Sequence, residues 1–228
     1  MTKTFQHQKI SLGYEDLEAE TLSTGRTYSD PEGNRYPSIT TVLSLLSRDS
    51  IAAWRARVGE EEANRVSYRA STRGTAVHDI VERYLNNEEI DTSSYTLDVI
   101  QSWKNLQPIL DERVGTIFSQ ECPLYSRYLG IAGRVDCIAE FDGVPSIIDF
   151  KTSRKPKKKE WVTNYFIQES AYAIMWEERT GMPITNLVTI MDVDNDQPIV
   201  FKEHRDNWDG KLIETIELFK AEKRKAPL

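Results

Sequence analysis

The sequence contains little cysteine and no long apolar run, and each of these absences excludes a class of protein. Its 228 residues include two cysteines, too few for a four-cysteine zinc or iron–sulfur site or for a disulfide-stapled secreted domain. No apolar run approaches the ~18 residues of a membrane span, and the mean hydropathy is -0.53. The first twenty residues match neither a secretory signal nor an organelle presequence. We therefore expect a cytoplasmic protein with no membrane partner.

The chain also lacks an overall positive charge. With 29 basic and 36 acidic residues its formal net charge is -7, so the whole surface is not a basic coat for nucleic acid. Any anion-binding surface must therefore be local. A hydrophobic content of 39% indicates a folded globule, and a chain of this length forms one large domain or two small ones.

The sequence pattern changes character near residue 113. An Asp-Pro-Glu-Gly turn predicts a hairpin over 25–37, and a helical pattern follows from the N-cap Ser38, with a break at Gly59. Further helices are predicted over 94–112, 160–179 and 207–224, and strands near 115–125, 128–141, 144–151, 185–192 and 198–204. We therefore predict an N-terminal hairpin and helical region over 1–113 and an α/β core over 114–228, together one compact domain.

The second predicted hairpin contains the candidate metal-binding and catalytic residues. Asp142-Gly143 between two strand-like runs predicts a two-residue turn, and counting back from it places Asp136 opposite Asp149. Opposed carboxylates destabilise a sheet unless a cation lies between them. Oxygen ligands suit Mg²⁺ or Mn²⁺. Lys151 projects to the same side as Asp149, where it could hold or deprotonate a water or neutralise charge on a phosphate.

The alternative is an exposed sheet face on which the two acids are merely solvated. Alternation argues against it, because one face of the hairpin is apolar except for Ser146: Val135, Cys137, Ala139, Phe141, Val144, Ser146, Ile148 and Phe150. The opposite face carries Arg134, Asp136, Glu140, Asp149 and Lys151.

Two helices carry polar pairs at a spacing of four residues. His78 and Glu82 share one stripe of a predicted helix, and the imidazole could complete a metal shell, although a lone helical histidine is more often structural. Gln168 and Tyr172 have the same spacing after Lys151, which is a weak signal on its own.

In order, these segments resemble the motifs of the RecB-like branch of the PD-(D/E)xK nucleases. The matching segments are Gly74–His78, Gly133–Asp136, Ile148–Thr152 and Gln168–Tyr172, and Tyr36–Leu43 is similar to a segment of the mitochondrial genome maintenance exonuclease family and its phage and bacterial relatives. The resemblance covers about 26–172. It implies a restriction-endonuclease-like core, with a central mixed β-sheet flanked by helices and a helical N-terminal half covering the active site.

The resemblance implies one or two Mg²⁺ or Mn²⁺ ions bound by His78, Asp136, Asp149 and the backbone carbonyl of Phe150. Lys151 would be the catalytic lysine. The same family pattern gives Gln168 and Tyr172 the role of positioning DNA or that lysine, and makes Glu121 a further acid outside the direct ligands of the metal. Glu82 is a further candidate because it shares a helical stripe with His78.

Two departures refine the resemblance. Val135 stands where the family name has proline, as is common in the RecB-like branch. Two cysteines exclude the subgroup with an iron–sulfur cluster, and the lack of an import signal favours a phage or bacterial member.

A basic segment, residues 151–159, holds six positive charges in nine residues. We interpret it as a phosphate contact, the alternative being a solubilising loop. The predicted DNA-binding residues are Arg73 from the helical half together with Arg154, Lys155, Lys157, Lys158 and Lys159.

These observations predict a metal-dependent DNA exonuclease that prefers single-stranded ends, acting in phage or bacterial replication, recombination or repair. The alternatives are a structure-specific or restriction-type endonuclease of the same fold and a non-catalytic nucleic-acid-binding module.

Overall fold

A computed structural model describes residues 3–225 of the chain, which fold into eight strands and five α-helices within that range. The strands are β1 (Glu18–Leu22), β2 (Gly25–Ser29), β3 (Arg35–Pro37), β4 (Val114–Ser126), β5 (Ile131–Phe141), β6 (Val144–Ser153), β7 (Asn186–Val193) and β8 (Ile199–His204). The helices are α1 (Ile39–Val58), α2 (Glu60–Leu85), α3 (Leu97–Arg113), α4 (Thr163–Thr180) and α5 (Asp209–Lys225).

A five-stranded mixed sheet forms the centre of the molecule. Its strand order is β4-β5-β6-β7-β8, with β6 and β7 parallel and the other pairs antiparallel. Helices α2 and α3 pack on one face, and α1, α4 and α5 contribute to the core on the other. The predicted α/β fold with a mixed sheet flanked by helices is confirmed. None of the helices within 3–225 is long and apolar enough to cross a membrane.

The hairpin of β5 and β6 has the predicted register but lacks the predicted polar face. Phe141 pairs with Val144, as the Asp-Gly turn requires. Ile138 and Ile147, on the face expected to be polar, are fully buried in the core to which α4 contributes. Because helices cover both faces of the sheet, its strands are apolar on both sides, and the polar side chains that matter are confined to the strand ends.

The N-terminal hairpin is larger than predicted, because β1 adds a third strand antiparallel to β2. All five residues of β1 are exposed, so its sequence shows no alternation that would reveal it. The predicted N-cap of α1 is confirmed, since Ser38 Oγ accepts a hydrogen bond from the Thr41 amide at 3.0 Å. Gly59, with φ of 88°, separates α1 from α2 as expected. Residues 127–130 form a turn rather than the start of β5.

Candidate active site

A cavity of about 570 Å³ lies where β5 and β6 separate, between α2 and the start of α1. The β5–β6 pairing ends at Cys137 and Ile148. At the next residue, the Asp136 carboxylate accepts a hydrogen bond from the backbone amide of Phe150 at 2.8 Å. Asp136 therefore does not pair with Asp149 in a regular ladder, in contrast to the sequence prediction. Side chains from every motif line this cavity, namely His78, Glu82, Glu121, Asp136, Lys151, Gln168 and Tyr172.

His78, Glu121 and Asp136 form a cluster at one wall of the cavity. One potential ligand atom from each lies within 4.8 Å of the others. His78 Nε2 is 2.8 Å from the carbonyl oxygen of Phe150, and Nδ1 is 3.6 Å from Asp136 Oδ1. If Nε2–H donates to that carbonyl, the Nδ1 lone pair faces a carboxylate oxygen. Both atoms could then bind one metal cation placed between them.

Glu121 joins the cluster because of the pairing between β4 and β5. The pairs on either side of Glu121 place it opposite Asp136. Its φ of 43° is in the left-handed region, which is rare for a residue with a Cβ and is found preferentially at functional sites. Arg134 donates a hydrogen bond to its carbonyl at 2.6 Å, which holds this conformation. Burial, with the Asp136 charge adding to it, raises the pKa of Glu121 to about 7.

Asp149 lies beneath the cavity, 1% exposed, and is not part of the cluster. Its carboxylate accepts no well-formed hydrogen bond from residues 3–225, although the Lys151 ammonium lies against it. Burial raises the pKa of Asp149 to about 6, while Lys151 opposes the shift and Asp136 adds to it. Burial alone would lower the pKa of Lys151, but Asp149 and Asp136 raise it, so the amine keeps its proton.

These residues fit a divalent metal ion. Asp149 Oδ1 is buried with no hydrogen-bond donor, Oδ2 has only the Lys151 ammonium against it, and both lie close to a cluster of one imidazole and two further carboxylates. Leaving such oxygens unsatisfied is costly, and a hard cation with oxygen and imidazole ligands removes that cost. His78, Glu121, Asp136 and Asp149 are the side chains that would hold Mg²⁺ or Mn²⁺, with the Phe150 carbonyl beside them.

Gln168 and Tyr172 form a fixed wall of the cavity. Gln168 Nε2 donates to Tyr172 Oη at 3.0 Å, and its Oε1 lies 3.5 Å from Lys151 Nζ. Gly133 makes room for the tyrosine, because a Cβ at this position would lie 2.7 Å from Tyr172 Cε1. The contact with Tyr172 therefore explains why Gly133 has no side chain.

Glu169, which sequence reasoning missed, lies fully buried beside this wall and accepts a hydrogen bond from Thr189 Oγ1. Burial, with Asp149 adding to it, raises the pKa of Glu169 well above its usual range. The signal that could have identified Glu169 is that it is an acidic residue within 166–173, a stretch of α4 in which every residue is buried.

Arg73 lies outside the cavity, which corrects its predicted role. The side chain is 11% exposed and pairs with Asp192 and Asp194 at the end of β7. It lines a second cavity of about 590 Å³, on the side of α2 away from His78. Because two carboxylates already neutralise the guanidinium, Arg73 attaches α2 to the sheet rather than presenting a charge to DNA.

The basic segment does not form one continuous patch, and its predicted contact with phosphate stays a prediction. Arg154 lines the second cavity. Lys157 donates to Tyr165 Oη at 2.8 Å, and Lys158 lies over the Trp161 ring. Lys159 is held at β8 by Glu203 and by the carbonyl of Lys202, and Lys155 is exposed. The charges therefore point in at least three directions.

The chain belongs to the PD-(D/E)XK nuclease superfamily, whose family model matches residues 97–220, more than half of the sequence. The matched segment contains Glu121, Asp136, Asp149 and Lys151 and begins after His78. The chain is thus a nuclease by family. No curated protein matches the sequence.

Two solved structures are similar to this chain. One, described as a "putative exonuclease" from Eubacterium rectale, is 14% identical with a TM-score of 0.44 over 64% of each chain, so this chain spans just under two thirds of that protein. The other, described as SSO0001, is 14% identical with a TM-score of 0.39, covering 81% of this chain and 74% of that one.

Proposed function

We propose that this nuclease is a metal-dependent DNA exonuclease that degrades single-stranded ends. The observation that carries the proposal is the convergence of His78, Glu121 and Asp136 in one cavity, above buried Asp149 and beside protonated Lys151. When bound, one or two Mg²⁺ or Mn²⁺ ions would polarise the phosphate and supply a nucleophilic water at neutral pH. The proposed setting is phage or bacterial replication, recombination or repair, as the motif resemblance implies.

The protein's own residues orient the substrate. Asp136 is held by the Phe150 amide before any ligand arrives. Lys151, fixed between Asp149 and Gln168, lines the cavity with a protonated amine that pairs with a phosphate oxygen and with charge developing on it. Gln168 is in turn fixed by Tyr172. This rigid arrangement reduces the reorganisation needed at the reacting phosphate.

The size of the cavity supports a single-stranded substrate. A volume of about 570 Å³ is that of a pocket for a small ligand, which admits a nucleotide or two but not a duplex. Arg26 and Tyr28 of β2 and Ser38 before α1 line the side away from the sheet. A strand therefore has to enter between the N-terminal sheet and α2, which favours a free end.

The experiment uses end-labelled linear single-stranded DNA beside a circle of the same sequence, in Mg²⁺, Mn²⁺ or EDTA. We expect loss of the linear strand alone, only with metal, and only in the wild-type protein when Asp149→Ala is run in parallel. Asp49→Ala, an acid whose side chain is 99% exposed, is the matched control and should cleave normally. Cleavage of the circle would identify an endonuclease instead. Unchanged DNA with retained binding in EDTA would identify a binding module.

A further inference from the structure

Trp161 is an exposed aromatic side chain that the fold does not use. It lies just before α4, is 64% exposed, and belongs to none of the hydrophobic core clusters of residues 3–225. Folding therefore does not account for this exposed ring.

Cations lie over two aromatic rings near the start of α4, Tyr165 next to Lys151 of the active site and Trp161 four residues earlier in the sequence. Lys151 Nζ lies 5.2 Å from the ring centroid of Tyr165, and Lys157 Nζ lies 5.3 Å from the same centroid. Trp161 is four residues before Tyr165, and Lys158 Nζ lies 5.6 Å from the Trp161 centroid. The sequence from Lys151 to Trp161 holds six basic residues and one acid, Glu160. Two of these cations, Lys157 and Lys158, lie over the two rings.

Rings interleaved with lysines are the chemistry that binds single-stranded nucleic acid. Each base offers a flat face to an aromatic ring, and each linking phosphate offers a negative charge to a lysine. A base inside a duplex has no open face, so a duplex gains only the charge contacts. An acidic protein surface would likewise use the lysines but not the face of the indole.

We infer that the Trp161 strip (Lys157, Lys158, Trp161 and Tyr165) is a subsite for single-stranded DNA. One base stacks on Trp161, and Lys157 and Lys158 contact the neighbouring phosphates. The strand then passes Tyr165 toward Lys151. This inference rests on the proposed function, because it names how the same site holds its substrate outside the cavity.

The test measures binding of a fluorescein-labelled oligo(dT) by anisotropy in EDTA, so that cleavage does not intervene. Trp161→Ala should weaken binding by about 5- to 100-fold, the usual effect of removing one base-stacking ring. Trp161→Phe, which keeps a flat ring, should recover most of the affinity. Tyr128→Ala removes another exposed aromatic side chain, 83% exposed in the turn between β4 and β5, and should bind as the wild-type protein does.

A salt titration provides a readout that a structural role would not change. Lys157→Ala and Lys158→Ala should each reduce the slope of log affinity against log salt by about one unit. If Trp161→Ala binds within about twofold of the wild type, the stacking subsite is wrong, and binding by lysines alone is the remaining explanation.

Cleavage in Mn²⁺, measured on the same samples, separates the two proposals. If the wild-type protein cleaves and Trp161→Ala binds as tightly as the wild type, the subsite is wrong and the proposed function stands. If the wild-type protein never cleaves but Trp161→Ala weakens binding, the proposed function is wrong and the subsite is supported. A wild-type protein that binds no oligo(dT) overturns the subsite.

Discussion

Replacing Asp149 with Asn should make the metal-free protein more stable while abolishing cleavage. Asp149 is 1% exposed, and its pKa is raised from 3.8 to about 6, chiefly by burial. Each pKa unit corresponds to 1.36 kcal/mol. Keeping this carboxylate ionised in the fold therefore costs about 3 kcal/mol of stability.

The sign of the effect depends on pH. Below about pH 4 the carboxyl is protonated in both the folded and unfolded states, so Asp149→Asn changes little. Between about pH 4 and 6 the folded state keeps a proton that the unfolded state has lost, and wild-type stability falls as pH rises. Above about pH 6 the folded wild-type protein carries the full cost of about 3 kcal/mol for its buried ionised carboxylate. The uncharged Asn side chain of the variant carries no such cost.

Thermal unfolding in EDTA measures this difference. For a chain of this size, about 3 kcal/mol raises Tm by about 6 to 12 °C at pH 8, and the increase should vanish near pH 4. Added Mn²⁺ should stabilise the wild-type protein but not the variant, because a ligand stabilises only the state that binds it. The control is Asp192→Asn, which replaces an equally buried carboxylate whose two oxygens both accept hydrogen bonds, from Arg73 and from Asn105, and should therefore lower Tm. An Asp149→Asn Tm at or below that of the wild type at pH 8 would refute the reasoning.

Three further predictions follow from single contacts. Arg73→Ala leaves the buried Asp192 unpaired and should destabilise the protein by about 3 to 5 kcal/mol in urea unfolding; a change below about 1 kcal/mol would contradict the attachment of α2. Because Glu121 must lose its proton to bind a cation and its pKa is about 7, Mn²⁺ affinity measured by calorimetry should rise as pH increases through 7, and Glu121→Gln should weaken binding and flatten that rise. Gly133→Ala overlaps the ring of Tyr172 and should destabilise by about 1 to 3 kcal/mol and slow cleavage; wild-type values for both would exclude the packing explanation.

The sequence predicted the β5–β6 hairpin best, because a two-residue Asp-Gly turn fixes register by local chemistry. The register holds as far as Cys137 and Ile148. The separation of the strands at Asp136 was not predictable, since it depends on the Asp136 carboxylate taking the Phe150 amide.

Glu121 could be named only by resemblance, for a physical reason. Its position opposite Asp136 follows from the four-residue turn over 127–130, which sets the register of β4 against β5 from Ser126 back to Ser119. Such a turn leaves no residue signature as specific as Asp-Gly. The resemblance found the acid, and the geometry brings it closer to His78 and Asp136 than the sequence suggested.

The sequence does not show which basic side chains form ion pairs, because their acidic partners come from distant parts of the chain. Arg73 meets Asp192, more than a hundred residues later, and Lys159 meets Glu203 on β8. A run of positive charges therefore predicts local potential but not which charges remain available.

The most direct test compares the wild-type protein with Asp136→Asn on end-labelled linear single-stranded DNA at saturating Mg²⁺. Asp136 belongs to the His78 and Glu121 cluster, and its amide isostere cannot supply the charge that a cation requires. The account predicts that the cleavage rate falls by about 100- to 1,000-fold or more, with Tm in EDTA no lower than that of the wild type. An Asp136→Asn variant that cleaves at the wild-type rate would contradict the proposed site.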